Sequence, residues 1–128
     1  MKISNSQRVT NIKFKFMIKE KIGFDAIEAL DIRIGAVVSA EKVQKADRLI
    51  KMDVFFGDEI GTKTVMSSIA HKGFGPDELI LQKFPFVLNL EPRENKKVMS
   101  EAKIVMSEDS EGNYNAMPSD AVPGAVIF

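Results

Sequence analysis

The sequence predicts an all-β domain with short helices, built on a five-stranded barrel. Three observations carry this. Apolar and polar residues alternate in short β-branched or aromatic runs, such as Ile50, Met52 and Val54, which is the period of a strand with one buried face. Helical signals are confined to two short stretches, one near residue 24 and one at Pro76. The elements fall in the order helix, three strands, helix, two strands.

The first element after residue 23 is Phe24-Asp25-Ala26-Ile27-Glu28-Ala29-Leu30. Phe24, Ile27 and Leu30 share one helical face, so a short helix plugging the core is expected. Ile32, Ile34, Val37 and Val38 then form a β-branched run interrupted by Gly35, which predicts a strand bent or bulged at the glycine. Gln44-Lys45-Ala46-Asp47 is a polar turn. Leu49 to Phe56 is the second strand, ending at Gly57-Asp58, and the third runs from Thr62 to Ile69. Gly75-Pro76-Asp77-Glu78-Leu79 has the signature of a helix start: proline suits the first helical position, and acids in the first turn face the positive end of the dipole. That helix must stop by Phe84-Pro85.

Two apolar runs follow, Phe86–Leu90 and Ile104–Met106, joined by the charged connection Glu91-Pro92-Arg93-Glu94-Asn95-Lys96-Lys97. Strands fixing the ends of a loop that holds one Arg and two Lys suit an anion, because long cationic side chains reach out from a rigid base. An ordinary hairpin with a solvated charged loop fits the same pattern. An acidic turn at Glu108–Asn113, a short segment at Tyr114–Met117 and the terminal Ala125-Val126-Ile127-Phe128 complete the chain. Three strands, a helix and two strands is the order of an OB-fold, a five-stranded Greek-key barrel; spacing alone also allows an SH3-like barrel.

The chain has 128 residues, enough for one modest core, with 45% apolar and 28% charged residues. It has no cysteine, which excludes disulfides, thiolate metal sites and a cysteine nucleophile. No signal-peptide or membrane-spanning run is evident, and a cytoplasmic location is expected. The net charge of zero hides an asymmetry. Residues 1–23 carry six Lys/Arg against Glu20 alone, whereas residues 24–128 carry 12 basic and 17 acidic residues. The leader is thus basic and the body mildly acidic. Ile12-Lys13-Phe14-Lys15-Phe16 reads as an edge strand guarded by lysines, with an RNA-gripping arm as the other reading; Met17 is also a candidate natural start. An acidic body confines any RNA site to a local basic patch, since phosphate contacts supply most non-specific affinity.

Several segments resemble the tRNA-binding OB domain found free-standing, at the C-terminus of some methionyl-tRNA synthetases, and in the secretion chaperone CsaA. They are Leu30-Asp31-Ile32-Arg33-Ile34-Gly35, Ala46-Asp47-Arg48-Leu49, Met66-Ser67-Ser68-Ile69, Asn89-Leu90-Glu91-Pro92-Arg93 and Ser100-Glu101. The resemblance spans about residues 24–128 and keeps the family's block order. It implies shape-directed tRNA or structured-RNA recognition and frequent homodimerisation. Arg93, Lys96 and Lys97 would contact phosphates, with Asn89, Ser67, Ser68 and Ser100 bonding sugar or phosphate and Arg48 beside them. Arg33 reads as organising the barrel rim. The chain departs from the family at Glu94, where a basic residue is usual, and at Val98, Ala102 and Lys103. A carboxylate beside Arg93 weakens a phosphate contact and can pair with the Arg instead.

No catalytic constellation is present, no cofactor is called for, and the chain is read as a non-enzyme. His71 is the only histidine and is expected to be exposed. Glu108, Asp109 and Glu111 read as a solvated turn rather than a cation site. Nearly all of the nine Phe are expected in the core, leaving Tyr114 as the one candidate stacking platform. The competing function is a CsaA-like dimeric chaperone holding unfolded or export-destined polypeptide. A third possibility is an assembly module for an aminoacyl-tRNA synthetase.

Overall fold

The computed structural model describes residues 16–128. The alternating stretch Ile12–Lys15 and the rest of the basic leader to residue 15 lie outside the described residues. A one-and-a-half-turn helix α1 (Phe24–Glu28) precedes three antiparallel strands, β1 (Ile32–Val43), β2 (Ala46–Phe55) and β3 (Thr62–Ser67). A 3-10 turn (Ile69–Lys72) and helix α2 (Pro76–Leu79) lead to β4 (Lys83–Val87). Short strands follow: β5 (Arg93–Asn95), β6 (Val98–Ser100), β7 (Lys103–Ile104), β8 (Met106–Glu108), β9 (Tyr114–Ala116) and β10 (Val126–Ile127). The chain is all-β with short helices, as its alternation requires. No described helix is long and apolar enough to cross a membrane.

The main sheet runs β3-β2-β1-β4-β7, with β10 also paired to β1. β1 is its spine: Ile32–Ala36 pair with β4 on one edge, while β10 and then β2 occupy the other. The alternation read in β2 holds, since Ile50, Met52 and Val54 are fully buried. They meet Val37, Val65, Phe84, Phe86 and Ile104 in one core, where the Phe56 and Phe86 rings pack edge-to-face with centroids 5.4 Å apart. Leu79, fully buried, plugs the core from α2, whose start is held by a hydrogen bond from the Gly75 N–H to Glu78 Oε1 at 3.3 Å.

Several expectations are corrected. Helix α1 does not plug the core: none of its residues is buried, and Phe24 is 84% exposed. At five residues it is too short to lay a stripe across the sheet, and its apolar face points to solvent. Phe16 and Phe128 are likewise exposed, so the phenylalanines are not uniformly core residues. The register shifts in β1 fall between Val37 and Ser39 and between Lys42 and Val43, not at Gly35. Gly35 serves packing instead, because a Cβ there would lie 2.4 Å from Val54 Cγ1 and 2.6 Å from the Phe56 ring. The fourth strand begins at Lys83 and runs through Pro85. Proline is accommodated opposite Ile34 because the Ile34 N–H and C=O turn away to Ala125 O (2.9 Å) and Gly124 N (2.8 Å). The charged connection is not an open loop but a hairpin, β5–β6.

The hydrogen-bonded ladder is open: β3 does not pair with β6 or β7, so the expected closed five-stranded barrel is not formed by strand pairing. Three other hydrogen bonds span the gap. Thr64 N–H donates to the Glu101 carboxylate (2.8 Å), Glu101 N–H donates to Thr64 O (2.9 Å), and Met66 N–H donates to Ser100 Oγ (3.0 Å). The Ser-Glu pair thus clasps the edge of β3 with two side-chain acceptors and one backbone bond where a ladder would use backbone alone.

Glu101→Ala leaves the Thr64 N–H unpaired and is expected to cost about 1–3 kcal/mol, with Glu101→Gln recovering most of it. Urea unfolding at unchanged m-value measures both. An alanine variant as stable as the parent would show the clasp to be idle.

Candidate nucleic-acid interface

The hairpin β5–β6 is aimed by the clasp at its base. Its register pairs Arg93 with Ser100, Glu94 with Met99 and Asn95 with Val98. The two connecting residues, Lys96 (φ 52°) and Lys97 (φ 65°), both lie in the left-handed region, as a two-residue hairpin turn of the right twist demands. Asn-Gly is the comfortable pair at such a turn, and two lysines there are strained. Strand alternation puts Arg93 and Asn95 on one face and Glu94 on the other. The anticipated Arg93–Glu94 pairing is accordingly absent: among the described residues neither Arg93 nor Lys96 nor Lys97 forms an ion pair.

Arg93 lines a cleft of about 580 Å³ together with Ser67 and Ser68 from the end of β3, Asn95, Ser100 and Lys103. A second hollow of about 330 Å³ adjoins it, sharing Ser67, Ser68, Lys103 and Ile104 and adding Tyr114. Tyr114 is not an open stacking platform, since Lys72 Nζ sits 4.7 Å from its ring centroid and the residue is half-buried. The hydroxyls of Ser67 and Ser68 make no hydrogen bond to described residues and are available to a ligand. Glu91 at the rim is the cleft's acidic member.

The structure gathers four of the residues picked from the sequence (Arg93, Ser67, Ser68 and Ser100) and separates the others. Ser100 Oγ is already committed, accepting from Met66 N and donating to Ala102 O at 3.0 Å. Asn89 is tied to the backbone. Its Oδ1 accepts from Asp31 N (2.8 Å) and its Nδ2 donates to Ala29 O (2.5 Å), which fastens the end of α1 to β4 instead of facing the cleft. Lys97 lines a different cleft, with Lys51, Thr64 and Glu101. Lys96 stands exposed at the tip, and Arg48 is exposed on β2 away from these clefts. Arg33 organises the rim, as read: its Nε is 2.8 Å from Asp31 Oδ1 and its Nη1 3.5 Å from Gly124 O. Asn95 and Lys103 were missed. Counting by two from Arg93 points to Asn95, whereas Lys103 stands out only as a departure from the family pattern, which does not say that it reaches this cleft.

His71 is exposed, with Nδ1 against the Ser68 carbonyl oxygen. The acidic turn between β8 and β9 is self-satisfied. Asp109 Oδ1 accepts from Glu111 N (2.9 Å) and Asn113 N (3.0 Å), and Oδ2 accepts from Asn113 Nδ2 (2.9 Å). These bonds, the Asn113 side-chain amide first, hold the Asp109 carboxyl below the usual carboxylate range. Among the described residues no three His, Asp or Glu side chains gather as a metal site.

A small β-domain with an unpaired arginine over a hydroxyl-lined cleft is the form of an anion-binding module. Residues 32–125 match the family model "Putative tRNA binding domain", and the chain belongs to that family. It is 38% identical over 112 residues, 86% of this chain, to a methionine–tRNA ligase of Porphyromonas gingivalis. The match covers 16% of that ligase, so the chain spans about one sixth of the relative's length. Among solved structures, a MetRS-related protein of Pyrococcus horikoshii superposes with a TM-score of 0.81 at 29% identity, covering 86% of this chain and all of that one. The CsaA chaperone protein of Picrophilus torridus gives 0.75 at 26% identity, covering 84% and all.

Two outcomes are expected. Lys97→Gly relieves the left-handed strain and raises stability by about 1 kcal/mol, read from the urea midpoint. For Asp109, a folded-state pKa below the unfolded one means that its contribution is present at neutral pH and lost only as pH falls through the folded value. Amide NMR shifts of Glu111 and Asn113 should therefore stay constant down to the low end of the carboxylate range, and Asp109→Ala should abolish their acid transition.

Proposed function

We propose that the chain is a non-catalytic module that binds tRNA or structured RNA by shape and phosphate contacts. The observation that carries this is the Arg93 guanidinium, free of carboxylate partners, over a cleft that also holds Lys103 and the uncommitted hydroxyls of Ser67 and Ser68. Guanidinium and ammonium groups take phosphate oxygens, while serine hydroxyls and the Asn95 amide take sugar or phosphate. Lys96 and Lys97 at the hairpin tip and Arg48 on β2 extend the basic surface. The sheet order, with β3 held to the Ser100–Glu101 segment, supports a Greek-key OB barrel as the scaffold. Domain-family membership supports tRNA as the ligand, an aminoacyl-tRNA synthetase as a possible assembly partner and a cytoplasmic setting. The exposed apolar faces of α1 and of β10 with Phe128 support homodimerisation.

A specific observation also favours polypeptide holding. An apolar hollow of about 330 Å³ lined by Ile32, Ile34, Pro85, Val126 and Ile127 lies by β10, on a fold shared with a CsaA chaperone. Such binding needs no positive field.

A titration of unfractionated tRNA separates the two. RNA binding should weaken with salt at a log–log slope of about −0.7 to −0.9 per phosphate contacted, and Arg93→Glu/Lys103→Glu should lower affinity at least about tenfold. Unchanged tRNA binding by that variant would remove the cleft from the site. Salt-independent suppression of aggregation, with no tRNA binding, would favour the chaperone reading.

A further inference from the structure

We propose that the hollow beside the Arg93 cleft is a nucleobase subsite, so that the domain takes an RNA in which one unpaired nucleotide can turn out of its stack. This rests on the chain being an RNA binder and changes what it reads, from backbone alone to backbone plus one base. The hollow, of about 330 Å³, has Ile69, Ile104, Met106 and Tyr114 as its apolar wall. Ile69 comes from the 3-10 turn, Ile104 from β7, and the other two from the hairpin β8–β9. In that hairpin Met106 pairs with Ala116 and Glu108 with Tyr114, so strand alternation puts Met106, Glu108 and Tyr114 on one face. The wall is fixed in advance. Asp109 and Asn113 tie the hairpin turn together, and Lys72, which does not line the hollow, holds the Tyr114 ring from the 3-10 turn. An exposed ring stacks a running single strand, whereas a half-buried ring set in a hollow offers a wall to one base only.

Contiguity and charge select the occupant. The Arg93 cleft and the hollow share Ser67, Ser68, Lys103 and Ile104, so the two spaces are continuous. Arg93 lines only the first, where with Lys103 it outnumbers Glu91. Glu108 lines only the second, where Lys103, its Nζ 3.4 Å from Ile104 O, is the one cation. A phosphate therefore goes to Arg93, and the Glu108 carboxylate repels it from the hollow. What fits the hollow is a neutral ring with apolar faces and polar edges. In a nucleotide the sugar lies between phosphate and base, and the uncommitted hydroxyls of Ser67 and Ser68 occupy the corresponding boundary between the two spaces. A base paired in a stem cannot enter, because its faces and edge are already engaged. A bulged, loop or terminal nucleotide can.

The test compares binding of the intact chain to three versions of one RNA stem-loop: with a single bulged adenosine, with an abasic residue at the bulge, and fully paired. The adenosine bulge is expected to bind about tenfold tighter than the abasic one, the size of a single base–aromatic contact. That ratio should hold as salt is raised, because the base carries no charge while the phosphate contacts weaken equally in both. Tyr114→Leu keeps apolar bulk but removes the ring, and should cut the ratio to about twofold while leaving abasic affinity at the parent value. Equal binding of the adenosine and abasic bulges by the parent, or of the adenosine bulge and the paired stem, overturns the subsite and leaves the Arg93 cleft standing. A ratio undiminished in Tyr114→Leu removes the base from this hollow. Failure of all three RNAs to bind overturns the proposed function and the subsite together. The comparison of RNAs on the parent needs no substitution, so it decides the matter even where the leucine variant does not fold.

Discussion

Everything functional in this domain hangs from the clasp between Ser100-Glu101 and the edge of β3. A strand edge exposes N–H groups that must find partners or water, and here the Thr64 and Met66 N–H groups find a carboxylate and a hydroxyl. A backbone ladder across this gap would bind the hairpin strands flat to the sheet. Two side-chain acceptors and one backbone bond, Glu101 N–H to Thr64 O, instead pin the segment that follows the hairpin without continuing a ladder along β5–β6. Arg93 and Lys97 line two different clefts beside this hairpin. The family's Ser-Glu pair is thereby a structural device, and the hydroxyl that was expected to meet RNA has no donor to spare.

The same economy governs the other polar residues of the rim. Asn89 and Arg33 sit among cationic and amide groups that invite an RNA reading, yet both are tied to backbone or to Asp31. Their bonds hold the start of β1 against the end of β4 and the Gly124 turn, which fixes the sheet's spine at the end bearing α1. The residues left over for a ligand are those with no such duty: Arg93, Ser67, Ser68, Asn95, Lys96 and Lys97, whereas Lys103 Nζ already donates to Ile104 O at 3.4 Å.

Much of the fold was legible because strand alternation is local. Ile50, Met52 and Val54 announced their buried face, and Gly75-Pro76 with two acids announced a helix. What was not legible depended on partners distant in sequence. Phe24, Ile27 and Leu30 have helical spacing, but spacing cannot say whether a sheet lies beneath them. Pro85 argued for a late strand start, because its tolerance depends on Ile34 directing its backbone groups to Gly124 and Ala125 instead. Lys96-Lys97 carries no turn signal of its own, since lysine has no preference for positive φ, and so the hairpin read as an open loop. For the site, residue types were readable but grouping was not: Arg93 and Lys97 are four residues apart and line different clefts.

Facing also changes what Glu94 means. In the sequence it is a carboxylate beside the key arginine and a reason to expect a neutralised site. On a strand, adjacent residues point to opposite faces, so Glu94 opposes Met99 rather than Arg93. At the solvent-exposed tip its field is screened over roughly 10 Å at 0.1 M salt. The acidic body thus does not cancel the cleft; it limits binding to polyanions that reach the hairpin, because the remaining surface repels them. A mildly acidic domain with one raised basic ribbon therefore discriminates against non-specific polyanion coating.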